Sequence, residues 1–262
     1  MKSDVVRQFV NIVAFVYTLV LNVLSQALPL NGQTPAEISN RLPILFVPAN
    51  YVFSIWGVIY TLLIGFIVYQ SLPSQRENPM LRKINYWFAL SCLANGTWIL
   101  FFHYNLFPLS MVAMVVLLLS LIMIYTRIGV GQIAVRGAMR WCLHIPFSVY
   151  MGWITVATVA NAAYVLYDAG WDGLGISGEI WTMLLLLVAT AITLRLIFTR
   201  RDVAYSAVLV WALIGIVVKQ AAIPTVALTA GAMVVVIVVA LVFTLLRGRD
   251  IPALRTPSTA RV

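Results

Sequence analysis

The chain contains long runs of apolar residues that no charged side chain interrupts. Residues 84–102 are one such run, and an α-helix needs about 20 predominantly apolar residues to cross the hydrocarbon core of a bilayer. Strict alternation over segments of about 10 residues, the pattern of an outer-membrane β-barrel, is absent. The runs therefore predict an all-α integral membrane protein in contact with the lipid bilayer.

The overall composition leads to the same class. The chain has 262 residues, of which 62% are hydrophobic and only 10% charged, and its mean hydropathy is +0.98. So few charges do not cover the surface of a soluble domain of this length. The net charge of +9 does not indicate a nucleic-acid partner, because the basic residues fall at the ends of the apolar runs instead of forming one patch.

The runs and the residues that break them predict about eight transmembrane helices. The separation of the last two depends on Lys219, Gln220 and Pro224. The asparagines at positions 11 and 22 favour a retained first helix over a cleaved secretory signal. The predicted spans are residues 9–28, 49–72, 84–102, 108–125, 141–167, 180–198, 203–218 and 222–246.

The distribution of basic residues predicts the orientation of these spans. If the N-terminus is cytoplasmic, all but two of the 17 Lys and Arg residues fall in cytoplasmic segments, and only Arg41 and Lys219 lie outside. This agrees with the positive-inside rule. We therefore expect both termini in the cytoplasm, with a disordered polar tail over residues 247–262. The first outer connection, residues 29–48, is either a solvated linker or a lid over the bundle.

Polar and large aromatic residues within three spans require an explanation, because an unpaired amide facing lipid costs several kcal/mol. They recur every three or four residues, so each set occupies one helical face. We expect these faces to point into the bundle, with Gly96 allowing close approach of a neighbouring helix. The three faces carry Phe53, Trp56 and Tyr60 on the second span; Asn95, Trp98 and Phe102 on the third; and Tyr150, Trp153, Ala157, Asn161 and Tyr164 on the fifth.

Two interpretations of these faces remain open at this point. Interhelical amide bonds and aromatic stripes are common packing devices in membranes. Alternatively, an aromatic cavity with a few hydrogen-bonding groups suits a flat, mostly apolar ligand. Other aromatic residues, including Trp141, Trp171 and Trp181, lie near predicted span ends and are typical of the interfacial belt.

Three sequence motifs add a resemblance to a known family. They are PANYVFSIWGVIY at residues 48–60, LANGTWILFF at 93–102 and GWITVATVAN at 152–161. Together, in this order and on these spans, they resemble the tryptophan-rich sensory proteins, the bacterial branch of the translocator proteins, also called peripheral benzodiazepine receptors. The resemblance covers residues 9–167 and implies multi-pass insertion in the bacterial inner membrane.

The resemblance implies a five-helix unit, residues 1–167, with a pocket that binds porphyrins and other apolar ligands. Three further helices, within residues 168–246, have no counterpart in that unit. Combining the motifs with the helical faces, we predict a ligand site between the second, third and fifth spans. The predicted site residues are Trp56, Tyr60, Asn95, Trp98, Phe102, Tyr150, Trp153, Ala157 and Asn161.

We therefore predict a membrane receptor or sensor for a tetrapyrrole-like ligand, a porphyrin or haem. The alternatives are a facilitative transporter of such a molecule and, from the resemblance, a photo-oxidative enzyme that degrades bound porphyrin. An enzyme is the less favoured hypothesis, because His103 and His144 are predicted at opposite ends of the bundle, and no catalytic or metal-ligand set is recognised. No other cofactor is predicted, and a homodimer is left open.

Overall fold

The computed structural model describes residues 2–28 and 30–247, and within them it contains helices and no β-strand. Apart from Arg247, the tail predicted to be disordered lies outside these residues. The α-helices are α1 (Lys2–Ala27), α2 (Pro35–Arg41), α3 (Ile55–Ser71), α4 (Pro79–Ile84), α5 (Trp87–His103), α6 (Phe107–Arg127), α7 (Gly137–Met139), α8 (Ile145–Asp168), α9 (Gly178–Arg200), α10 (Val203–Lys219) and α11 (Pro224–Leu246).

Eight of these helices are long, and each coincides with one predicted span. Six helical segments are long and apolar enough to cross a membrane, whereas α5 and α10 have only 17 residues each. The chain is thus a multi-pass membrane protein, as predicted, while the exact number of crossings and their orientation stay predictions. The predicted break before Pro224 is present, since proline has no amide hydrogen and suits the first turn of α11.

Irregular turns modify two of the predicted spans near the site. A 3-10 segment, Asn50–Ser54, leads into α3. A π-helical turn, Arg140–His144, leads into α8 and is followed by Pro146. A proline clashes with the carbonyl four residues earlier in a regular α-helix, and a π-turn relieves that clash by shifting the bonding to the fifth residue.

At one end of the bundle, charged side chains connect the first and fourth helices. Asp4 forms ion pairs with Arg7, at 2.6 Å, and with Arg82, at 2.8 Å. Arg7 also donates to the backbone carbonyl of Arg76 at 3.0 Å. These three arginines belong to the segments predicted to be cytoplasmic. The contacts hold the start of α1 against the connection between α3 and α5.

The C-terminal helices pack directly on the helices that carry the predicted site. Helix α10 packs along α8, with Val208 against Gly152, while α11 packs on α9 and α10. The carbonyl of Gly215 accepts a hydrogen bond from the Ala49 amide at 3.1 Å. A Cβ atom on Gly215 would overlap Val52 and lie 3.0 Å from the Cβ atom of Pro48. Helix α10 therefore fixes the segment that enters α3.

We predict that Gly215→Ala lowers the free energy of unfolding by about 1–3 kcal/mol, because the added methyl group overlaps a β-branched side chain that has little freedom to move. The measurement is reversible unfolding in mixed detergent and lipid micelles. The matched control is Gly65→Ala on α3, where nothing lies within 4 Å of the added methyl. Equal stability of the two variants would contradict the close packing of α10 on this segment.

Candidate functional site

The three predicted faces meet in the half of the bundle nearest α2. The ring of Trp56 on α3 lies 6.2 Å from those of Tyr150 and Trp153 on α8, edge-on to both. On α5, Trp98 stacks on Phe102 at 5.2 Å. Both amides predicted to face the interior, Asn95 and Asn161, are buried. The aromatic faces thus converge on one region of the bundle.

A small cavity lies where these faces meet, and six of the nine predicted site residues line it. Its volume is about 50 Å³, which suits one or two water molecules and is well below the roughly 300–1,000 Å³ of most ligand pockets. The aromatic side chains themselves fill most of the space between the helices. The six predicted lining residues are Trp56, Trp98, Phe102, Trp153, Ala157 and Asn161.

Two indole groups at this cavity differ in their hydrogen bonding. Trp98 Nε1 donates to Asn161 Oδ1 at 3.1 Å, and the same oxygen accepts from the Ser110 hydroxyl at 3.3 Å. Trp153 is only 3% exposed, yet its Nε1 has no hydrogen-bond partner in the described residues. A buried donor without a partner costs about 1–3 kcal/mol, so a rearrangement of the site that gives this N–H an acceptor is favoured by about that much.

Two predicted site residues lie in a packed layer and do not line the cavity. Asn95 Oδ1 accepts from Asn22 Nδ2 at 2.8 Å, and Asn95 Nδ2 donates to the Tyr150 hydroxyl at 2.7 Å. Asn95 and Tyr150 are 0% and 1% exposed. This chain of hydrogen bonds joins α1, α5 and α8. In this structure the two residues therefore position the site through packing.

The remaining predicted residue, Tyr60, lines a larger hollow between α1, α3 and α5. This hollow has a volume of about 410 Å³ and shares Trp56, Trp98 and Pro35 with the small cavity. Tyr60 stacks on Trp56 at 5.5 Å. The two indoles thus form the wall between the closed cavity and the open hollow.

The connection between α1 and α3 lies against the cavity. It contains α2, and both Pro35 and Ser39 line the cavity. The N-terminus of α2 carries a capping box, in which the Glu37 amide donates to the Thr34 hydroxyl oxygen and the Thr34 amide donates to the Glu37 carboxylate. The Thr34 hydroxyl also donates to that carboxylate. The hydrogen bonds that the carboxylate accepts lower the pKa of Glu37. We call residues 30–48 the lid.

Arg41 at the end of α2 connects this lid to the bundle. Its Nε donates to the Tyr164 hydroxyl at 3.3 Å, and Nη2 donates to Asn105 Oδ1 at 2.9 Å. Its guanidinium lies 5.4 Å from the centre of the Phe107 ring, within the range of a cation–π contact. The connection is therefore ordered by contacts with α6, α8 and the α5–α6 turn.

Several lining residues were not among the nine predicted. Phe53 and Tyr164 lie on the predicted faces, so their helical spacing was a usable signal. Phe53 packs edge-on to Trp153 at 5.8 Å. The lid residues had no such signal, because helical periodicity says nothing about where a connection lies. The lining residues outside the prediction are Pro35, Ser39, Val47, Pro48, Phe53, Val156, Ala160 and Tyr164.

The described residues contain no group of three or more His, Cys, Asp or Glu side chains that could hold a metal ion. Both histidines are buried and hydrogen-bond to backbone carbonyls of nearby turns, His103 to Ile99 and His144 to Ile128. Neither lines the cavity. The chemistry available at the site is thus apolar contact, stacking and a few neutral hydrogen bonds.

A family comparison agrees with the arrangement of these helices. The profile of the TSPO-like proteins matches residues 8–243. The chain belongs to the TSPO-like protein family. The match to the TSPO-like profile continues through α9 and α10 and into α11, whereas the motifs alone covered only residues 9–167. No curated protein and no solved structure matches this TSPO-like chain significantly. Family membership supports a general role as a membrane sensor or binding protein.

For this TSPO-like protein we predict that Asn95→Leu lowers the free energy of unfolding by about 1–2 kcal/mol, because it leaves the Tyr150 hydroxyl without its partner and the Asn22 amide with only its hydrogen bond to the Thr18 carbonyl. Tyr150→Phe should cost less alone and almost nothing in the Asn95→Leu background. The measurement is a double-mutant cycle of unfolding in micelles. Leu93→Ala, at a half-exposed position on α5, is the control, and additive effects would contradict the coupling.

Proposed function

We propose that the protein is a membrane receptor or sensor that binds a flat hydrophobic ligand, a porphyrin or a related tetrapyrrole, between α3, α5 and α8 and beneath the lid. The single observation that carries the proposal is the buried, unpaired N–H of Trp153, a residue whose side chain lines an aromatic cavity. Apolar walls favour the ring system of such a ligand, and an unpaired donor favours an acceptor atom on it. The predicted orientation would place the lid at the outer face of a bacterial inner membrane.

The size of the cavity defines what binding requires. A volume of about 50 Å³ does not hold a tetrapyrrole, so the bound state needs more space than the closed state has. The neighbouring hollow of about 410 Å³ supplies that space if the wall between the two moves. That wall consists of Trp56 and Trp98, which are held by different kinds of contact. Trp56 contacts other rings, while Trp98 donates a hydrogen bond to Asn161.

These contacts suggest which parts move and which parts stay. Trp98 and Asn161 hold each other, so we propose that they form the fixed wall against which the ligand stacks. The ring of Trp56 is held by stacking on Tyr60 and by edge contacts, and rotating it joins the two spaces. The lid would move together with Arg41, whose hydrogen bonds to neutral partners have a charged donor and are each worth about 1.5–3 kcal/mol.

The test is a titration of the protein in phosphatidylcholine nanodiscs with protoporphyrin IX. Trp153→Phe should weaken saturable binding by about fivefold to tenfold, since it removes one hydrogen bond and retains an aromatic ring. Binding is followed by the absorbance of the porphyrin, so that removal of a tryptophan does not itself change the signal. The matched control is Trp141→Phe, because the Trp141 side chain is 64% exposed and lies outside the cavity.

Two outcomes would refute this proposal. One is the absence of saturable porphyrin binding to the folded wild-type protein. The other is equal affinity of the wild type and the Trp153→Phe variant, which would place the ligand elsewhere on the surface. Loss of affinity in the Trp141→Phe variant alone would lead to the same conclusion.

A further inference from the structure

A second hollow lies on the opposite side of α8, between α8, α9, the lid and the α8–α9 connection. Its volume is about 460 Å³, within the roughly 300–1,000 Å³ of small-molecule sites. It exists because α9 packs mainly along α11 and because α8 presents Ala162 and Ala163 on the face toward α9. Small side chains leave space there that larger ones would fill.

The described residues that line this hollow include an acidic side chain and no basic one. Asp172 is the one charged side chain among the described residues that line it. One of its carboxylate oxygens accepts from the Leu174 amide at 2.9 Å. Asp168 ends α8 and Glu179 lies in the first turn of α9, but neither lines the hollow, and the sequence has no Lys or Arg from residue 141 to 194. The charge that lines an otherwise apolar hollow is therefore a single carboxylate.

Two indole rings line this hollow together with Asp172. Trp171 and Trp181 both line the hollow, with ring centres 5.0 Å apart and planes tilted by 55°. Trp181 Nε1 donates to the carbonyl of Gly173 at 2.8 Å, which fixes the ring against the turn that carries Asp172. Indole faces attract cations, most strongly where water is excluded. The sequence position of these two residues predicted that they belong to the interfacial belt. In the structure they also line this hollow.

We propose that this hollow is a binding site for an amphiphilic monocation, a lipophilic amine. Its apolar body would lie against Ala162 and Ala163, and its ammonium group would meet the Asp172 carboxylate and the faces of Trp171 and Trp181. A zwitterionic phospholipid is disfavoured, because its phosphate group would lie near the Asp172 carboxylate with no basic side chain among the described residues that line the hollow. The site uses the face of α8 opposite Trp153 and shares no lining residue with the cavity of the proposed tetrapyrrole site, although the lid borders both.

The experiment uses the full-length protein in phosphatidylcholine nanodiscs, so that the phospholipid competes throughout. The probe is an alkylammonium that carries a photoreactive diazirine in its chain, and the labelled peptides are identified by mass spectrometry. Three competitors with the same chain length differ only in charge: dodecyltrimethylammonium, dodecanol and dodecanoate. We expect saturable labelling within residues 43–46 and 158–185 that only the ammonium compound displaces.

Two variants and one control test separately the carboxylate of Asp172 and the volume of the hollow. Asp172→Asn should weaken displacement by dodecyltrimethylammonium about tenfold, while Glu179→Gln should leave it unchanged. Glu179 lies in the first turn of α9, but it does not line the hollow and accepts a hydrogen bond from Thr225 at 2.6 Å. Ala162→Leu should weaken labelling in protein that still elutes as a single folded species, because the longer side chain occupies part of the hollow.

Equal displacement by dodecanol or dodecanoate would overturn the proposal and identify the hollow as a general apolar site. Unchanged affinity in the Asp172→Asn variant, or labelling outside residues 43–46 and 158–185, would overturn it as well. Porphyrin binding measured on the same variants distinguishes the two sites, since neither Asp172→Asn nor Ala162→Leu touches the cavity at Trp153.

Discussion

The hydrogen-bonded chain from Asn22 through Asn95 to Tyr150 is the constraint on which the site depends. Inside a bilayer no water replaces a lost partner, so these three side chains must stay together, and with them α1, α5 and α8. Trp98 lies one turn beyond Asn95, and Trp153 lies one turn beyond Tyr150. Fixing the polar layer therefore directs both indoles into the same space, and Trp56 of α3 completes the wall.

Much of this arrangement follows from residue spacing, and some of it does not. The spacing of Asn95, Trp98 and Phe102 indicates which face of a helix points inward, because a polar group on the lipid side is costly. Spacing does not show whether a residue on that face lines the cavity or is packed away from it. Asn95 and Tyr150 share faces with Trp98 and Trp153, yet they are sealed beneath the cavity. The cavity volume depends on side-chain rotamers and helix separations, for which the sequence carries no direct signal.

The C-terminal helices illustrate the same limit. Their sequence is almost entirely apolar, which predicted membrane helices and nothing about their partners. The contact of Gly215 with Pro48 and Val52 joins residues more than 160 positions apart, and such a contact cannot be seen in local periodicity. In the folded chain, α10 supports the segment leading into α3, and α9 with its connection forms the second hollow. These helices thus belong to both proposed sites.

The most direct measurement of the central claim is the nuclear magnetic resonance signal of the tryptophan indole N–H groups in ¹⁵N-labelled protein, each assigned by Trp→Phe substitution, during a porphyrin titration. A tetrapyrrole bound between α3, α5 and α8 should shift the Trp153 signal saturably, because its N–H is unpaired before binding, and leave the Trp141 signal unchanged. If the Trp153 signal stays fixed while the Trp141 signal moves, the ligand binds at the bundle surface and the account is wrong.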